Sequence, residues 1–136
     1  MGTTNYTSTF IQIADDCPVD EAEAPPESAK GPTIASLQHK LISEHPYEYT
    51  SDDVLFETYA ARNAIPDGER EAARAAFFAK DQACLRASPL GKRWGWGIHS
   101  DEESRIALVP LGTDEYEEKA GDESLKQLKA MRSKRA

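Results

Sequence analysis

Hydrophobic spacing changes several times along this chain, and each change marks an element. Ser8–Ala14 is β-branched and apolar and reads as a strand, with Ile11 and Ile13 on one face. From Pro32-Thr33 the period lengthens: Ile34, Leu37, Leu41 and Ile42 recur at helical spacing. His45-Pro46 closes that helix, because the residue before a proline avoids the helical region. After the bridge Tyr47-Glu48-Tyr49, Thr50 or Ser51 can cap a second helix, and Asp52-Asp53 suit its positive end. This helix turns Val54, Leu55 and Tyr59 inward and runs to Asn63. Pro66-Asp67-Gly68 is a turn. A third helix spans Glu69–Ala79, with Ala73, Ala76 and Phe77 as its buried stripe and enough alanine to pack closely on a sheet.

Beyond Lys80-Asp81 the period falls to two. Ala83–Ala87 reads as a strand, Pro89-Leu90-Gly91 as a turn, and Arg93–His99 and Arg105–Leu111 as two strands joined by the hairpin loop Ser100–Ser104. Thr113–Ala136 reads as helical, acidic at its start and basic at its end. Gly121-Asp122 breaks it, and Leu125, Leu128 and Met131 pack its second half. The order is strand, three helices, antiparallel strands with a hairpin, and a C-terminal helix. That is a single α+β domain over residues 1–136.

Alternation gives the Arg93–His99 strand two unlike faces. Trp94, Trp96 and Ile98 share one, where Ile106 and Leu108 can meet them; Arg93, Gly95, Gly97 and His99 share the other. The tryptophans read as core. The glycines clear space on the opposite side, where Arg93 and His99 would line an opening with Arg86 and Lys92 nearby and Tyr47 or Tyr49 as a wall. Arg86, Lys92 and Arg93 are a local cationic group, and a guanidinium suits bidentate capture of a carboxylate or phosphate. The plainer reading is a set of ion pairs to the acidic loop or to Asp101–Glu103.

Charge sharpens this picture. The 136 residues carry a formal net charge of −8, which disfavours nucleic acid, whose phosphates need a cationic field. Asp15, Asp16, Asp20, Glu21, Glu23 and Glu27 fall in a segment interrupted by Pro18, Pro25 and Pro26, so 15–32 reads as a long solvated acidic loop. The tail 126–136 is basic and reads as frayed. No apolar run is long enough to span a bilayer, and the first residues lack a signal-peptide pattern. Two cysteines, Cys17 and Cys84, make no disulfide framework, which suits reduced thiols in the cytoplasm.

Other chemistry is thinly signalled. His39, His45, His99, Cys17 and Cys84 match no metal-ligand spacing. Ser88 lies outside any nucleophile-elbow pattern, and Pro89-Leu90-Gly91-Lys92-Arg93 is no phosphate loop. Cys84 reads as a small buried hydrophobe, and the negative charge of Asp16 disfavours a reactive Cys17 thiolate.

Four blocks carry a family likeness: Asn5-Tyr6-Thr7-Ser8-Thr9-Phe10-Ile11, Asp15-Asp16-Cys17-Pro18, His45–Val54, and Ala87–Asp101. Together, over Asn5 to Tyr116, they resemble a family of small uncharacterised bacterial proteins classed as a domain of unknown function. The resemblance implies a bacterial, cytosolic, stand-alone domain and supplies no activity, cofactor or catalytic residue. It leaves the tail after Lys126 outside and variable.

The expectation is a small binding domain that holds an anionic ligand, or an acidic segment of a partner, through Arg86, Lys92, Arg93, Gly95, Gly97, His99, Tyr47 and Tyr49. No cofactor, nucleic acid or membrane is expected, and the oligomeric state is open. Two other classes stay open: an enzyme using Cys84 and His99 or a metal on Cys17, His45 and His99, and an interaction module, homodimeric through a sheet edge or the C-terminal helix.

Overall fold

The computed structural model describes residues 3–133. A four-stranded mixed sheet separates two helical layers in an α+β domain. In chain order the elements are β1 (Thr9–Gln12), α1 (Ile34–Glu44), α2 (Ser51–Arg62), α3 (Arg70–Ala79), α4 (Pro89–Arg93), β2 (Trp96–Ser100), β3 (Ile106–Pro110), α5 (Asp114–Ala120) and β4 (Lys126–Lys129). The sheet order is β3-β2-β1-β4; β4 runs parallel to β1 and the other pairs are antiparallel. Among the described residues no helix is long and apolar enough to cross a membrane.

Period-two alternation decides which layer each strand residue meets. Ile11, Ile98 and Ile106 face α1, α2 and α4, where they pack with Ile42, Val54 and Leu90 in the larger core. Phe10 and Val109 face α5, where they form a smaller core with Tyr116. The helix starts are capped by their own side chains: Thr33 and Thr50 each accept a backbone N–H in reciprocal capping boxes with Ser36 and Asp53.

The hairpin, the three helices and the first strand lie where periodicity places them, with local differences. β1 ends at Gln12, so Ile13 joins the α5-side core while Ile11 joins the other. Ala83–Ala87 is not a strand: Leu85–Ala87 is a single 3-10 turn. Pro89-Leu90-Gly91 begins α4, because the Ser88 hydroxyl caps it and Pro89 suits a first helical turn. α3 lies against α2 rather than the sheet and has no fully buried residue. Its Arg70 pairs with Glu57, and Arg74 with Asp53.

Among the described residues the C-terminal half-helix is not formed; Lys126–Lys129 is β4, adding an edge to the sheet beside β1. The register places Leu128 beside Ile11, so an apolar anchor and four backbone positions outweigh helical spacing. The tail is tied further on: Ala130 is buried, the Met131 N–H donates to the Arg86 carbonyl, and Lys129 Nζ pairs with Asp15 at 2.8 Å. Residues 134–136 of the expected frayed tail lie outside the described residues.

Candidate functional site

The sequence points to the hairpin face. Gly97 and His99 do share a face of β2, but the space beside Gly97 is filled. A Cβ there would stand 2.6 Å from Phe10 Cζ and 3.0 Å from Tyr116 Cε2. The glycine therefore admits the edge-to-face pair of Phe10 and Tyr116, whose centroids are 5.2 Å apart. Arg93 and Trp94 precede the strand: α4 ends at Arg93, and Gly95 turns the chain at φ +79°. Trp94 thus drops out of the alternation that Trp96 and Ile98 keep.

A different partner fills the space at Gly95. The acidic segment lies across it, with Val19 Cγ2 only 2.9 Å from where a Cβ would be. Glu23 N–H donates to the Trp94 carbonyl, and Trp96 Nε1 donates to the Glu23 carbonyl at 2.8 Å. The 15–32 segment expected as a solvated loop is thus an ordered strap in its middle part. Lone tryptophans and glycines could have signalled such a clamp, but their spacing cannot name the segment clamped.

The other expected site residues scatter. Arg86 Nε donates to the Lys129 carbonyl, which ties the 3-10 turn to β4. Lys92 sits half-buried in the last turn of α4, and Arg93 is exposed beside it. Tyr49 packs its ring on His45 at 5.0 Å. Only Tyr47 and His99 meet: the Tyr47 hydroxyl lies 2.8 Å from His99 Nδ1, with Tyr47 at φ +59° and His99 9% exposed. Burial pushes the His99 pKa down, helped by Lys119, while Asp101, Asp122 and Glu115 oppose the shift. Burial raises the Tyr47 hydroxyl. The neutral imidazole therefore exchanges one neutral hydrogen bond with Tyr47.

Cys17, His45 and His99 do not converge as a metal site: among the described residues no three His, Cys, Asp or Glu side chains are grouped to hold an ion. Cys17 and Cys84 are both free. Cys84 Sγ lies 3.3 Å from the Tyr6 hydroxyl, and His99 has Tyr47, so the two candidate catalytic groups have separate partners.

An open cleft exists elsewhere. It lies between α1, α2, α3 and the 82–89 segment and has a volume of about 420 Å³. Its walls are Ile34 from α1, Leu55 and Tyr59 from α2, and Phe77 from α3. Ile34 and Tyr59 are each 39% exposed, an unusual exposure for large apolar side chains on helices that otherwise bury theirs. The helical spacing that picked out Ile34, Leu55 and Tyr59 as inward-facing was reading the cleft wall. Tyr59 and Phe77 stack at 4.8 Å, and Phe56 anchors this pair from the core.

Gln38 and Ser88 form the polar floor. Gln38 is 3% exposed, and its Oε1 accepts from the Ser88 hydroxyl at 2.6 Å. Its amide nitrogen has no partner among the described residues, although Gln38 lines the cleft. An amide nitrogen that opens on the cleft can donate to an acceptor bound there. Arg62, in the last turn of α2, supplies the charge at the rim. It makes no ion pair among the described residues, and the cleft lining contains no carboxylate. Periodicity does not find Gln38, Ser88 or Arg62, since each lies in its helix or turn as an ordinary polar residue.

Comparison with curated proteins and with solved structures returned no match. A family profile, described as a family of unknown function (DUF6157), matches residues 1–136. The match takes in the basic tail that the resemblance left outside, consistent with that tail supplying β4. The chain belongs to this family of unknown function, DUF6157.

Proposed function

We propose that this is a cytosolic binding domain for a small amphipathic anion, and that the ligand enters the α1–α2–α3 cleft rather than the hairpin face. The observation that carries it is the charge of the lining. In a protein of net charge −8, an apolar cleft of ligand size has an arginine at its rim and, among the described residues, no carboxylate. An aryl or alkyl group would lie against Tyr59, Phe77, Leu55 and Ile34, a carboxylate would meet Arg62, and an acceptor near its middle would take the Gln38 amide proton. Unbridged Cys17 and Cys84 support the cytosolic assignment.

Calorimetric titration with three probes of one shape tests the reading: 4-phenylbutyrate, 4-phenylbutanol and 4-phenylbutylamine. Affinity should fall in that order, and Arg62→Gln should erase the advantage of the acid over the alcohol. Equal binding of acid and amine, or no binding by any of them, would contradict it.

A further inference from the structure

The cleft does not end at Arg62. A second cleft of about 700 Å³ opens on its other side, and Ile34, Arg62 and Pro89 line both. The far cleft is walled by Trp94 and by the strap residues Pro26 and Pro32. That wall is preformed. Pro25 is buried, and Ser28 and Gly31 exchange two backbone hydrogen bonds of 3.0 Å. Glu27 and Lys30 also line it beside the shared Arg62, so the far cleft holds a carboxylate where the first, among the described residues, has none.

Arg62 therefore stands between two apolar compartments instead of at the closed end of one. A simple amphiphile with its anion at one tip would use the guanidinium and leave the Trp94 side empty. A molecule with its anion in the middle would use both.

We propose that the ligand is a two-armed anion, of the N-acyl aromatic amino acid class: an acyl arm in the Tyr59–Phe77 cleft, a carboxylate near its centre on Arg62, and a second ring in the Trp94–proline cleft. The amide of such a molecule lies beside its carboxylate and offers its carbonyl to the Gln38 nitrogen. This rests on the binding reading above and adds the second compartment to it. It also gives the strap a role, since the strap builds the wall that the second ring would touch. The tryptophan that leaves the β2 alternation is the one that lines this wall.

The test compares 4-phenylbutyrate, which fills one compartment, with N-(4-phenylbutanoyl)phenylalanine, which reaches both, by calorimetry on the full chain. The two-armed acid should bind at least about tenfold more tightly, the gain expected from burying part of a second ring. Trp94→Ala should remove that advantage and leave 4-phenylbutyrate unchanged. Pro26→Glu, at an exposed position, should do the same by placing a carboxylate in the far cleft without disturbing the core. Arg62→Gln should weaken both acids by about fivefold, the range for a solvent-screened pair. Equal affinity of the two acids, or a Pro26→Glu protein that keeps the difference, would overturn the second compartment and leave the first standing. Failure of both acids to bind would overturn the two readings together.

Discussion

The two sides of the sheet treat space differently. On the α5 side the chain supplies its own occupant: Gly97 gives up a side chain and the Phe10 and Tyr116 rings take the volume. On the opposite side, beyond α1 and α2, large side chains stand around a gap that no described residue fills. The difference is one of constraint. Phe10 is 0% exposed and fixed by strands on both sides, whereas Phe77 rides on α3, a helix with no fully buried residue held by Arg70–Glu57 and Arg74–Asp53. A glycine in a strand therefore signals close approach of backbone and ring, while exposed aromatics on neighbouring helices signal room.

Removing a ring from each side is the largest way to separate them. Phe10→Ala should cost about 3–5 kcal/mol in urea unfolding, because a closed core cannot collapse around the void. Phe77→Ala should cost about 1 kcal/mol, typical of a partly exposed position, and should weaken 4-phenylbutyrate binding. Equal costs would mean that α3 is as tightly packed as the sheet.

Adding a methyl sharpens the same contrast. Gly97→Ala should lose about 1–3 kcal/mol, since the new carbon would meet Phe10 at 2.6 Å and overpack the core. Gly68→Ala, where a Cβ would meet nothing within 4 Å, serves as the tolerant control in the same unfolding assay.

A smaller effect comes from pH. The His99 pKa in the folded chain lies below its ordinary value of 6.5 because the ring is buried. Between the lowered folded value and 6.5 the unfolded chain binds more protons, so this contribution is present above 6.5 and lost as pH falls through that interval. His39 is shifted the same way by burial against Trp96. Stability measured from pH 7.5 to 5 should therefore decline, and His99→Gln should flatten the decline relative to the wild type. An unchanged slope in the variant would mean that His99 does not carry the pH dependence.

The smallest effect on stability should accompany the clearest effect on binding. Arg62 is exposed and makes no ion pair among the described residues, so Arg62→Gln should change unfolding free energy by less than about 0.5 kcal/mol. A large loss would make Arg62 a structural residue.

Much of the fold was legible in the pattern of the chain. Pro32-Thr33 and Thr50 or Ser51 announced two helix starts, His45-Pro46 a stop, and the Arg93–His99 and Arg105–Leu111 alternation a hairpin, which forms between Trp96–Ser100 and Ile106–Pro110. What was not legible depends on long-range partners. Leu125, Leu128 and Met131 carry helical spacing, yet 126–129 pairs with a strand more than a hundred positions earlier, and only the fold supplies that partner. Ala83–Ala87 looks extended, but Ser88 and Pro89 begin α4 immediately after it and shorten it to a turn.

The site divides in the same way. Gly95 and Gly97 did mark close approaches, but the approaching groups are Val19, Phe10 and Tyr116 of the same chain. The cation of interest is Arg62, which carries no local signal. It matters because α1 and the 82–89 segment leave an uncharged apolar space beside it.

Titrating isotope-labelled protein with 4-phenylbutyrate and following amide and side-chain NMR shifts locates the bound ligand directly. The shifts should fall on Gln38, Tyr59, Arg62, Phe77 and Ser88, while Gly97, His99 and Tyr116 stay in place. Shifts centred on Gly97 and His99, with the cleft residues unmoved, would contradict it.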